Sequence, residues 1–158
     1  MEKNNIQFED IERILGMASK FSLFGGLGKK QMNIIMDHSD LIKVDKGEYL
    51  FKRGDSPREI YIIISGSIAF YLEDKTIMES SVGFSFAEAA LIGIQTQVVD
   101  AVATADAELL VISKKKLMQL FENDKEVFGI LILNIARELA RRVAIAGNLL
   151  LEKSHDNS

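Results

Sequence analysis

The chain of 158 residues contains no cysteine, so disulfides and thiolate metal sites are excluded, and cysteine usage carries no sign of the redox compartment. Its two histidines, His38 and His155, are too few for a histidine-based metal cluster, and His155 lies in the polar tail "EKSHDNS". Neither a zinc enzyme nor a histidine-dependent triad is expected, and no metal or catalytic residue is assigned. The N-terminal stretch "MEKNNIQFEDIERIL" lacks the apolar core of a signal peptide, and no apolar run is long enough to cross a bilayer. These absences predict a cytoplasmic protein without a membrane partner. A net charge of −4 repels nucleic acid, and the short run "SKKK" at Ser113 to Lys116 reads as solvated surface beside a helix start. Most telling is a local absence: from Thr76 to Ser113 there is no Lys, Arg or His, while Glu79, Glu88, Asp100, Asp106 and Glu108 fall inside that stretch.

What remains is 47% hydrophobic and 27% charged, the balance of one soluble globular domain long enough to bury a core. Three zones follow one another. Residues 6–38 carry Ile6, Ile11, Ile14, Leu15, Ala18, Met32, Ile35 and Met36 at helical spacing, broken by "FGGLGKK", and predict two or three short helices around a glycine turn. Residues 41–113 change to short β-rich segments such as "EIYIIIS" and "ELLVI". The separators "DKGE", "RGDSPRE" and "SGS" hold turn glycines and the only proline, Pro57. Strands this short and evenly spaced predict antiparallel hairpins closed into a sandwich or barrel. Residues 114–152 are helical again, a short helix followed by a long one capped near Asn123 or Asp124, with residues 153–158 left as a polar tail. The expected class is α+β, mainly β: one domain over residues 1–152, with N-terminal helices and a long C-terminal helix flanking an antiparallel roll.

The order of parts, and the stretch "VDKGEYLFKRGDSPREIYIIISGSIAFYL" with Gly47, Phe51, Gly54, Asp55, Tyr61, Ile64 and Gly66, resembles the cyclic nucleotide-binding domain family. Its members include bacterial catabolite-activator-type regulators and kinase regulatory subunits. "LFGGLGKKQMNIIM" looks like the family's leading helices and "DAELLVIS" like the last strand of its roll, so the resemblance runs from about Phe21 to about Leu150. It implies a double-stranded jelly roll and a non-enzymatic, signal-transducing role, with a cyclic nucleotide or another small effector in place of a resident cofactor. It also implies a phosphate-binding cassette in "GFSFAEAALIGIQTQVVDA", Gly83 to Ala101. There a glutamate holds the ribose hydroxyl, and an arginine followed by a hydroxyl residue holds the cyclic phosphate.

On this chain the resemblance sets Phe86, Ala87, Glu88 and Ala89 at the start of the cassette helix. Gln97 and Val98 stand where the arginine and the hydroxyl belong, so these six are the candidate ligand residues. Losing one member of a buried charge pair costs about 2 to 5 kcal/mol, about 30-fold to a few thousand-fold in affinity, so binding of cyclic AMP or cyclic GMP is expected to be weak. Lys75, Arg53, Arg58 or Arg137 would have to supply a cation from outside the cassette. Glu88 is open to two readings, ribose contact or a carboxylate favoured by a helix N-terminus, whereas Phe84 and Phe86 read as core anchors.

On the long helix, Phe128, Ile132, Ile135, Leu139 and Val143 follow three-four spacing within an apolar surface wider than one stripe. They are the candidate seam of a homodimer, the alternative being a helix sunk in its own core. Only "LEKSHDNS" follows the helix where the family's transcription factors continue into a helix-turn-helix. Output is therefore expected to pass to a protein partner without direct DNA binding. The rival to an effector-sensing module is a ligand-free dimerisation scaffold on the same fold.

Overall fold

The computed structural model describes residues 1–157 as a helical layer on a pair of facing antiparallel sheets. Strand β1 (Lys3–Asn5) leads into α1 (Phe8–Gly16), two 3₁₀ turns (Ala18–Lys20 and Ser22–Phe24) and α2 (Lys29–Asp37). The strands follow: β2 (Asp40–Val44), β3 (Tyr49–Phe51), β4 (Glu59–Ser65), β5 (Ile68–Leu72), β6 (Lys75–Ser80) and β7 (Ser85–Phe86). Helix α3 (Glu88–Gly93) then interrupts the roll before β8 (Asp100–Ala103) and β9 (Ala107–Ser113), and α4 (Lys114–Asn123) and α5 (Lys125–Asp156) close the chain. One sheet has the order β1-β2-β9-β4-β7 and the other β3-β8-β5-β6.

The central strands of the first sheet, β4 and β9, are buried on both faces, which explains why β4 reads "EIYIIIS" without alternation. Ile60, Ile62 and Ile64 join Leu110 and Ile112 under the helices, in a core shared with Ile14, Met32, Leu131 and Ile135. Tyr61 and Ile63 point the other way, into the roll interior with Ile42, Phe70, Phe86 and Leu109. Two cores thus share one sheet as a wall.

Glycines hold the corners where side chains would collide. Gly66, between β4 and β5, has φ +81°, and a Cβ there would strike the carbonyl of Asp106. Gly83, just before β7, has φ +93°, and its Cβ would meet the carbonyl of Lys20. The roll is thereby tied to the N-terminal segment at the head of the cassette.

Two expectations are corrected. Helix α5 runs 32 residues to Asp156, so all but the end of the expected polar tail is its last turn. Nothing in "LEKSHD" breaks a helix, and Lys153 and His155 suit its negative end. This length moves the balance of the α+β fold away from mainly β. The second concerns "SKKK": the Ser113 hydroxyl caps α4 at Lys116 N–H, while Lys116 donates to Asp40 at 2.6 Å and to the Ser39 carbonyl at 3.1 Å. That lysine fastens α4 to β2. Helix α3 ends on Gly93, and the left-handed position beyond it falls to Ile94 at φ +51°.

Candidate functional site

The cassette is held from three sides. At its head, Ala87 takes a left-handed φ of +68°, which turns the chain from β7 into α3 and sends the next side chain, Glu88, inward to 1% exposure. At its far end Gln97 is pinned to the turn after β3: its N–H donates to the Asp55 carbonyl at 2.9 Å and its carbonyl accepts from Gly54 N–H at 2.8 Å. The turn "RGD" therefore sets the position of Gln97. Between these anchors lies a cavity of about 230 Å³. The structure brings all six candidate ligand residues, Phe86, Ala87, Glu88, Ala89, Gln97 and Val98, to its wall.

Most of that wall is aromatic or aliphatic. Phe86 stacks on Tyr61 with ring centroids 5.0 Å apart and meets Phe70 edge-on at 5.1 Å, as a core anchor does. Phe84 departs from the core-anchor reading, since it is only partly buried and one of its faces is covered by a cation.

That cation is Arg142, from α5. Its guanidinium lies 4.4 Å from the Phe84 ring centroid. It donates through Nη2 to the Ser85 carbonyl at 2.6 Å and through Nη1 to Glu88 Oε2 at 3.4 Å, with Nε 3.3 Å from Glu138 Oε1. A planar guanidinium can stack and donate sideways at once, which suits it to a slot between a ring and a carboxylate. Glu138 also pairs with Arg141. Burial pushes the Glu138 carboxyl upward, but the Arg141 hydrogen bond and the charges of Arg142 and Arg141 outweigh it and leave its pKa lowered.

The cations proposed from sequence do not reach the cavity. Arg53 pairs with Glu73 at 3.2 Å on the surface, Lys75 and Arg137 are exposed, and Arg58 lines a different cavity beside Glu59 and Tyr61. In that second cavity Tyr61 donates to Glu59 Oε1 at 3.2 Å, and burial, reinforced by the Glu59 charge, raises the phenol pKa. Arg142 was missed because it belongs to another zone of the chain. A signal for it existed: Ile135, Glu138, Leu139 and Arg142 repeat at helical spacing, so a face buried at Ile135 also presents Arg142 to the roll.

The same face holds most of the residues expected at a dimer seam. Ile135 is 1% exposed in its own core, and Phe128, Ile132 and Leu139 pack against that core. Of the five candidates only Val143 is open, at 72% exposure. The exposed stripe instead runs through Leu133, Ala136, Ala140, Val143, Gly147 and Leu150, again at three-four spacing.

The two ends of the cassette differ in what they present to the cavity. Glu88, to which the resemblance assigns the ribose hydroxyl, is buried with Oε1 lacking any hydrogen-bond partner. Where the phosphate would be held, Gln97 carries no charge and Val98 is 65% exposed with no donor to offer. The cavity wall thus holds one buried carboxylate oxygen without a partner, and positions 97 and 98 add no charge to it.

Among the described residues no group of three or more His, Asp or Glu could hold a metal ion, and no helix is long and apolar enough to cross a membrane.

Comparison with known proteins bears on the family. The chain is 30% identical over 101 residues to a cAMP-dependent protein kinase regulatory subunit of Yarrowia lipolytica, covering 64% of this chain and 27% of that one. It thus spans about a quarter of the length of that curated relative. Among solved structures, a cyclic nucleotide-binding domain from Methylobacillus flagellatus superposes with a TM-score of 0.80 at 19% identity, covering 92% of this chain and 84% of that one. The catabolite activator protein of Thermus thermophilus superposes with a TM-score of 0.73 at 25% identity, over 82% and 61%. The family model for the cyclic nucleotide-binding domain matches residues 41–124, β2 through α4, and the chain belongs to that family.

Proposed function

We propose that this domain is a non-enzymatic sensor that takes a small effector in the roll cavity and reports its occupancy through α5. The observation that carries the reading is Arg142: a side chain of the C-terminal helix sits on the wall of the ligand cavity, bonded to Glu88 and Ser85. Anything that engages Glu88 changes what holds α5. The effector differs from the usual cyclic nucleotides, because the cassette lacks both its arginine and its hydroxyl; cyclic AMP and cyclic GMP bind weakly at best.

The module works in the cytoplasm as a homodimer through α5 and passes its signal to a protein partner. From Val143 onward every described residue of α5 is exposed, including Ile145, Leu149, Leu150 and Leu151. These 14 residues extend about 21 Å at about 1.5 Å per residue. A helix this short is marginal in water without a packed face. A second copy offers the matching stripe, whose small residues Ala136, Ala140 and Gly147 allow two helices to approach closely.

The ligand-free scaffold is favoured by one observation: Arg142 compensates the buried Glu88 charge from within the chain, so the roll does not need an effector to stand. The absence of cysteine makes a direct test simple. A spin label on Ile145→Cys and another on Glu73→Cys measure the position of α5 against the roll. In the sensor, compounds that stabilise the domain thermally shift that distance. An unchanged distance with a saturated cavity would leave only the scaffold.

A further inference from the structure

We infer that the roll cavity takes an uncharged, largely apolar ring compound bearing one hydroxyl or amide N–H donor, and discriminates against phosphate esters. This deepens the sensing role proposed above and rests on it. Three observations combine.

The first is charge. The cassette contributes a carboxylate and no cation, and the guanidinium of Arg142 is already divided among Glu88, the Ser85 carbonyl and the Phe84 ring. A phosphate entering here must either lie beside the Glu88 carboxylate or draw Arg142 away from it. The second course leaves a buried carboxylate unpaired, a loss of about 30-fold to a few thousand-fold in affinity. With Arg142 in place, the carboxylates of Glu88 and Glu138 are matched by the guanidinium groups of Arg142 and Arg141, which also removes the advantage of a cationic ligand.

The second is the unused acceptor. Glu88 Oε1 is buried without a hydrogen-bond partner, and an ionised carboxylate only accepts. A ligand with one donor satisfies it, whereas the same ring without that donor leaves it as it stands. Sites built around a buried polar group discriminate strongly on this feature.

The third is the remaining surface. Phe51, Phe70, Phe86 and Leu139 line the interior, and Ile77 and Met78 on β6 are exposed at its rim. A cavity of about 230 Å³ lies just under the roughly 300–1,000 Å³ of ordinary ligand sites, matching a compound of one or two fused rings.

The test holds the ring constant and varies its substituent. Ligand-observed NMR titrations on the full chain would compare 2-naphthol, naphthalene and 2-naphthyl phosphate, with cyclic AMP alongside. The expected result is that 2-naphthol binds at least tenfold more tightly than the other two naphthyl compounds. Glu88→Leu should reduce its advantage over naphthalene to within about twofold. If that variant fails to fold, Val98→Trp serves instead, because position 98 is exposed at the mouth and a bulky side chain there blocks entry without entering the core. It should weaken 2-naphthol at least tenfold. Equal or tighter binding of 2-naphthyl phosphate or cyclic AMP would overturn the inference and leave the sensing role intact. Binding of 2-naphthol that Val98→Trp leaves untouched would place it outside the cavity and overturn the inference alone. Failure of all four compounds to bind would count against both.

Discussion

Glu88 and Arg142 are 54 positions apart in the chain, and Arg142, shared with Glu138, is the counter-charge of Glu88. Removing one partner of a fully buried pair costs about 3 to 5 kcal/mol, and Arg142 retains 28% side-chain exposure, so Arg142→Ala should cost less, about 2 kcal/mol. That corresponds to a fall in melting temperature of roughly 4 to 8 °C, measurable by calorimetry. Arg142→Lys should recover only part of it, since an ammonium cannot lie flat on Phe84 while donating to Ser85. Glu138 sets a pH dependence. Its folded pKa is lowered from the ordinary 4.5, so its contribution is fully present above that value and is lost as pH falls through the lower folded one. In urea titrations between pH 7 and 3, Glu138→Gln should flatten the acid limb of the stability profile; an unchanged limb would contradict the assignment. Half of this constellation was legible in sequence. Glu88 stands out because its surroundings name it, whereas Arg142 sits in "ELARRV", where Glu138 and two arginines read as an ordinary solvated helix pair. Which of two adjacent arginines turns inward depends on helix phase against a sheet that the linear sequence does not display.

At the scale of elements, α5 is two helices in one. Its first half packs on the roll through Val127, Leu131 and Ile135, and its second half leaves the body of the domain. Substitutions on the two faces should accordingly separate. Ile135→Glu should abolish cooperative folding, while Val143→Glu together with Leu150→Glu should leave the circular dichroism of the roll intact and yield a monomer in sedimentation. Unaltered association in that double variant would refute the α5 seam. Gly83→Ala tests a different junction: a left-handed φ and a clash with Lys20 should destabilise the domain by more than about 1 kcal/mol, seen as a lower urea midpoint at unchanged slope. The helices and strands themselves were readable from periodicity and turn residues. Which face of α5 stays exposed was not, because Ile132, Ile135, Leu139 and Val143 share one spacing, and only the position of the sheet decides which of them are covered. Similarly, "EIYIIIS" announces a strand buried on both faces but not what lies on either side.

For the whole molecule, the two cores joined by one sheet imply a single cooperative unit, since neither layer can loosen without exposing a face of β4 and β9. Thermal unfolding should be one transition. The proposed pairing through α5 predicts a midpoint that rises with protein concentration over a hundredfold range, and a constant midpoint would argue for a monomer. The negative net charge carries a further expectation, that the domain shows no measurable affinity for duplex DNA at physiological salt. The placement of Arg142 also bears on how such domains can be recombined. Where a ligand loop contains its own cation, roll and helix can be exchanged between relatives as independent parts. Here the loop borrows its cation from α5, so a chimera joining this roll to another member's C-terminal helix would bury a lone carboxylate, and the two halves must be inherited together.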